Sequence, residues 1–189
     1  MHWDEAVIFA GGKSSRMGED KALLPFGGYA TLAEYQYRRM LPWFDRVVLS
    51  SRERKFPFEA PVILDQVSEA HSPMVALASV LSKADADAVF IISVDMPFVD
   101  APLIGKLYDA YEADSSIRIA VARSDQGAEP LCGVYSRSLL PQTRRLLQEG
   151  EHRMQALLAE VASVEVGCDR PEIFANLNTP EDYRRHKET

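Results

Sequence analysis

The 189 residues include only two cysteines, Cys132 and Cys168, with no CxxC pair and no histidine at zinc-ligand spacing. This excludes a disulfide framework and a structural zinc site, and two isolated thiols fit buried apolar residues in a reducing compartment. Positive charge is also scarce. The 21 Lys and Arg residues stand against 28 Asp and Glu, a net charge of −7, which argues against nucleic acid or an anionic membrane surface as a partner. Any anionic ligand must therefore meet a local cluster of cations. Long hydrophobic runs are missing too. The amino terminus, MHWDEAVIFAGG, carries acids and a short apolar run, so it reads as neither signal peptide nor membrane span, and the expected location is the cytoplasm. There is no internal repeat, no low-complexity segment and no linker, so residues 1–189 are expected to form one domain.

The residues that are present describe an α/β chain. Apolar residues make up 47% and charged residues 26%, an ordinary balance for a globular protein. Strand-like runs fall at Ala6–Ala10, Arg46–Ser50, Val62–Leu64, Ala88–Val94, Ile117–Ala122, Leu131–Tyr135 and Ser163–Val166. The run VFIISV is apolar almost throughout, as expected of a central strand covered on both faces. Helical periods occupy 31–41, 72–84, 100–113, 136–150 and 152–162, and Thr179-Pro180 followed by two acids starts a last helix. Asp100 is expected to cap the third helix, with Pro102 in its first turn. The alternation predicts a mostly parallel sheet with helices on both faces. In such sheets ligands sit outside the carboxyl ends of strands where the strand order reverses. The loops after Ala10, Leu64 and Val94 are therefore the places to look.

The first of these loops is unusual for an acidic chain. In AVIFAGGKSSRMGEDKALLPFGG, from Ala6 to Gly28, a strand breaks at Gly11-Gly12 and is followed by Lys13, Arg16 and Lys21. Glycines can take positive φ and let backbone N–H groups approach a ligand closely, and Arg can grip a phosphate through two parallel hydrogen bonds. The loop matches neither GxxxxGK[ST] nor GxGxxG, so P-loop hydrolysis and hydride transfer lose support. A glycine turn with solvated surface charges fits the composition about as well as a triphosphate site does.

The stretch FAGGKSSRMGEDK resembles the LAGGxSxRMGxDK signature of nucleotidyltransferases, in detail that of molybdenum cofactor guanylyltransferases, the MobA family. VILDQ falls on the family's strand ending in aspartate, SVDMPFV on its CDxPxxP-like stretch, GEHRM on a GxRR-type stretch and ANLNTPEDY on its NxNTPEEL ending. The resemblance implies a Rossmann-like nucleotidyltransferase fold. It places GTP on Phe9, Ala10, Gly11 and Gly12, with Ser50 near the nucleoside where the family often has asparagine. Arg16 and Lys21 fall on its phosphates, Asp65 on the nucleotide-binding aspartate and Asp95 on the Mg²⁺ ligand. Asn176 and Asn178 fall on the paired asparagines of the cofactor side. Three departures stand out. Phe9 replaces leucine, SPMVAL (Ser72–Leu77) replaces a GPLAG-like turn, and Glu129 stands where a polar residue or histidine is frequent. The turn departure leads us to expect a tighter or more apolar guanine-facing wall made by Pro73 and Met74, with a smaller margin of GTP over ATP.

The implied reaction is attack of the molybdopterin phosphate on the α-phosphorus of GTP, releasing pyrophosphate. A phosphate monoester has a second pKa of about 6 and is ionised at neutral pH, so no general base is required. That suits a chain without an evident catalytic histidine; His71 lies beside the second loop, and His2, His152 and His186 read as surface residues. Two other readings stay open at this stage. One is a cytidylyl or sugar-phosphate nucleotidyltransferase; the other is a nucleotide-binding regulatory module without turnover. The implied partners are GTP, molybdopterin and proteins that deliver or accept the cofactor.

Overall fold

All seven apolar runs become strands of one sheet in a computed structural model of the chain, which describes residues 2–11, 20–65 and 72–186. They are β1 (Trp3–Phe9), β2 (Phe44–Ser51), β3 (Val62–Leu64), β4 (Ala88–Ser93), β5 (Ile119–Ser124), β6 (Gly127–Ser136) and β7 (Ser163–Gly167). The helices are α1 (Leu32–Met40), α2 (Pro73–Lys83), α3 (Ala101–Glu112), α4 (Leu140–Gln148), α5 (Met154–Glu160) and α6 (Pro180–His186). Among the described residues no helix is long and apolar enough to cross a membrane.

The strand order is β3-β2-β1-β4-β6-β5-β7. All neighbours run parallel except at β6, which is antiparallel to both β4 and β5. Only two residues separate β5 from β6, too few to cross the sheet, so the pair forms a hairpin. The chain moves outward from β1 to β3 and then returns through α2 to place β4 on the other side of β1. The order therefore reverses between β1 and β4, and the carboxyl ends of those strands form the crevice.

Alternation along the central strands fills two apolar layers. Ala6 and Ile8 of β1 face a core shared with α1, α3 and the segment carrying Ile173, Phe174 and Leu177. Val7 and Phe9 face a second core shared with α2, α4 and α5. Helices thus cover both faces, as the strand pattern predicts. The helix starts also follow the sequence. Asp100 accepts from Leu103 N at 3.2 Å, and Thr179 and Asp182 bond each other's backbone N–H groups in a capping box. Tyr35 and Tyr37 pack on Phe26 and Phe58, so they belong to the packing of α1.

A register shift between Val121 and Ala122 bulges β6, which carries Val121 opposite Gly133 but Ala122 opposite Glu129. Pro130 is tolerated there because a bulge interrupts the hydrogen-bond ladder. The same bulge turns Glu129, Pro130 and Leu131 toward the crevice.

Candidate active site

The crevice is built from strand ends. At the close of β1, Ala10 donates its N–H to Ser50 O at 2.9 Å, and Phe9 O accepts from Val94 N at 3.0 Å. The side chains of Phe9 and Ala10 are buried in opposite cores, so only their backbone can meet a ligand. Gly11 follows. A Cβ there would lie 3.2 Å from Asp65 Oδ2 and 3.5 Å from Ser51 Cα. A side chain there would need the Asp65 carboxylate to give by a few tenths of an ångström, while the φ of Gly11 lies outside the left-handed region that glycine can take.

Asp65 stands at the end of β3 and accepts from Ser50 Oγ at 2.7 Å. Burial pushes its carboxyl above the ordinary range, against the pull of the Ser50 hydroxyl and of Arg52, Lys55 and Lys83. Gly11, Ser50 and Asp65 thus form one polar group at the β1–β2–β3 side. Gly12, Lys13, Arg16 and His71 lie outside the described residues. The chain returns at Asp20, whose carboxylate caps the short helical turn Lys21–Leu23 through Ala22 N and is also paired with Lys55. This anchor fixes where Lys21 enters the crevice.

Across the switch point lies the second group. The Lys21 ammonium is 2.6 Å from Asp95 Oδ2 and 3.0 Å from Asn178 Oδ1. The other oxygen of Asp95 accepts from Ser93 Oγ at 2.6 Å, and Leu177 N bonds Asp95 O at 3.0 Å. Residues 74 and 157 positions away along the chain are therefore drawn onto one lysine. Asp95, Asn176 and Asn178 line a cavity of about 430 Å³ with Pro73, Ser93, Met96, Glu129, His152 and Arg153. The volume suits a small-molecule ligand.

Two parts of this site have no counterpart in the sequence reading. The loop after Asp95 is clamped from α1. Fully buried Gln36 donates to Met96 O at 3.0 Å, and Arg39 bonds the carbonyls of Pro97 and Val99. The available signal is a polar residue at a core-facing phase of α1, beside Leu32, Ala33 and Met40. His152 is the other; read as a surface residue, it lines the cavity and meets Ser72 Oγ at 3.2 Å. The two residues of the expected guanine-facing wall at the SPMVAL turn go to different places. Pro73 lines the cavity, but Met74 is fully buried in the α2 core because it takes the inward phase of that helix.

Among the described residues no group of three or more His, Cys, Asp or Glu side chains converges on a metal position. Asp95 fits a different role. Mg²⁺ is commonly bound through one or two carboxylates plus substrate phosphates and water, without a full protein cage.

Comparison with known proteins identifies the family. A family model described as a MobA-like NTP transferase domain matches residues 6–166. A molybdenum cofactor guanylyltransferase of Campylobacter jejuni is 34% identical over 182 residues, covering 96% of this chain and 94% of that protein. One of Helicobacter pylori is 30% identical, covering 94% and 88%. Among solved structures, a molybdopterin-guanine dinucleotide biosynthesis protein A of Archaeoglobus fulgidus superposes with a TM-score of 0.81, covering 97% of each chain at 22% identity. That last likeness is one of fold.

Proposed function

Since the chain belongs to the MobA-like NTP transferase domain family, we propose that it transfers GMP from GTP to the terminal phosphate of molybdopterin. The products are molybdopterin guanine dinucleotide and pyrophosphate. The observation that carries this reading is the convergence of Lys21, Asp95, Asn176 and Asn178 on one side of the β1–β4 switch point, opposite Gly11, Ser50 and Asp65 on the other. Two ligand positions meeting at one carboxylate suit a transfer between two substrates.

In this reading GTP occupies the Gly11–Ser50–Asp65 side. Asp65 accepts hydrogen bonds from the nucleoside, and the close backbone approach at Gly11 leaves room for it. The triphosphate then runs toward Lys21, with Arg16 as a second phosphate cation. The acceptor occupies the cavity, held at its Asn176–Asn178 wall. Its phosphate, already ionised at neutral pH, attacks the α-phosphorus as the bond to the β-phosphate oxygen breaks. The proteins that deliver molybdopterin or receive the product complete the list of partners, and a cytoplasmic location goes with the reading.

Asp95 would hold Mg²⁺, which supplies neutralisation of charge on the α-phosphoryl group and departing pyrophosphate. The chain itself supplies alignment. Gln36 and Arg39 fix the loop that carries Asp95, Ser93 orients the carboxylate, and Asn178 holds Lys21 at its rim. Lys21 moves onto the outer phosphates and stabilises the leaving group. Alignment and charge stabilisation are the main sources of rate in phosphoryl-type transfers.

The test is pyrophosphate release with molybdopterin, Mg²⁺ and each of GTP, CTP, ATP and UTP. Turnover with GTP well above the other three is expected. A clear preference for CTP would make the protein a cytidylyltransferase, and nucleotide binding without release would make it a binding module.

A further inference from the structure

His152 lies in the loop between α4 and α5 and lines the same cavity as Asp95. Its backbone N–H is engaged by Glu151 Oε1 at 2.9 Å, and its ring nitrogen Nδ1 lies 3.2 Å from Ser72 Oγ at the start of α2. Ser72 is also the cap of α2, and its oxygen accepts from Val75 N at 3.3 Å. One lone pair of the hydroxyl is thus committed to the helix. Where Ser72 donates its proton to Nδ1, the ring proton of a neutral His152 sits on Nε2. If the ring is cationic, Nδ1–H donates to the second lone pair of Ser72 and Nε2 again carries a proton. In these two arrangements the ring carries an Nε2–H donor, and His152 lines the cavity.

The other charged groups of the cavity make that donor useful. Asp95 and Glu129 bring negative charge to it. Arg153 has Nε and Nη2 both on Glu151, at 2.9 and 2.6 Å, and the resulting pair pulls the Glu151 carboxyl down to about 2. Lys21 is held by Asp95 and Asn178. An incoming phosphate monoester, carrying roughly −1.5 to −2 charge, needs donors not already tied to a carboxylate.

We propose that His152 is a specificity-determining residue for the acceptor, its Nε2–H bonding an oxygen of the acceptor phosphate, with Ser72 as the positioning residue that holds the ring. This rests on the reading of the cavity as the acceptor position. It also gives the serine at the SPMVAL turn a role. Its hydroxyl ties the start of α2 to the α4–α5 loop.

The experiment measures steady-state pyrophosphate release with GTP and molybdopterin varied separately. His152→Ala is expected to raise the KM for molybdopterin about tenfold, as for loss of one hydrogen bond to a charged group. The KM for GTP and the kcat at saturating acceptor should stay within about twofold. His152→Gln, whose amide nitrogen can reach the place of Nε2, should recover most of the loss, and Ser72→Ala should raise the same KM by a smaller factor. An unchanged acceptor KM in His152→Ala overturns the proposal. So does a loss shared equally by GTP and acceptor together with a lowered Tm, which would make the histidine structural. Wild-type protein that releases no pyrophosphate overturns the underlying reading and this inference with it. Normal wild-type turnover with an indifferent His152→Ala sinks the inference alone.

Discussion

Replacing Lys21 by methionine tests the site where its two halves meet. The ammonium forms an ion pair at 2.6 Å with Asp95, both side chains being under one-fifth exposed. The lysine therefore neutralises the carboxylate. On the proposed function the ammonium turns to the outer phosphates, and Asp95 would be the carboxylate that holds Mg²⁺, which would supply charge neutralisation there. A charge-assisted hydrogen bond to phosphate is worth about 1.5–3 kcal/mol gross. Part of that is cancelled because the internal pair must be broken first. The lower end, about 1.5 kcal/mol or roughly tenfold in affinity, is the expected loss for GTP.

GMP does not reach the outer-phosphate position, so its affinity should change less than about twofold. Methionine keeps the aliphatic length of the side chain, so packing along the crevice is preserved. Isothermal titration of GTP and GMP against wild-type and Lys21→Met protein reads both numbers. A second signature follows from the vacated carboxylate. Without the competing ammonium, Mg²⁺ alone should raise the Tm of Lys21→Met more than that of the wild type. Equal losses for GTP and GMP would refute the reasoning and place Lys21 at the nucleoside or in a purely structural role.

Asp95→Asn should cut pyrophosphate release by at least about 100-fold, as when an electrostatic group acting in the transition state is lost. Its circular dichroism spectrum should be unchanged, and near-wild-type turnover by the folded variant would remove Asp95 from the mechanism. Gln36→Leu leaves Met96 O without its donor inside the core and should cost about 1–3 kcal/mol in urea unfolding; a smaller loss would mean that Arg39 holds the loop alone. Asp65 carries a sign that can be checked by pH. Burial raises its folded pKa, so the native state binds more protons than the unfolded chain between the ordinary carboxylate value and that raised value. Stability contributed at this position therefore falls as pH rises through the window. Asp65→Asn should raise the Tm of ligand-free protein at pH 7, with no gain below about pH 3.9, while weakening GTP about tenfold; a lowered Tm at pH 7 would contradict it.

Much of this protein can be read from local sequence because its central strands are buried on both faces. VFIISV leaves no alternation to confuse the reading, and Ser72, Asp100 and Thr179 mark helix starts through side chains that bond the first turn. Phe9 and Ala10 end an apolar run at a glycine pair, so the position of the first loop is equally plain. What local sequence does not carry is direction and distant pairing. The two-residue connection Asp125–Gln126 before Gly127, whose φ is +112°, is a hairpin signal. It makes β6 antiparallel, yet the bulge that aims Glu129 into the cavity depends on the partner strand.

The same limit explains His152. No periodicity links it to Ser72, 80 residues away, and a lone histidine in a charged loop is ordinarily a surface residue. Only the packing of α2 beside α4 and α5 brings the two together. Gln36 differs, because its phase on α1 places an amide among Leu32, Ala33 and Met40, and a buried amide without a partner would be costly. A core-phase glutamine therefore implies a buried acceptor even before its identity is known. In this fold that acceptor is the backbone directly after Asp95, which ties the stability of α1 to the geometry of the carboxylate at the centre of the site.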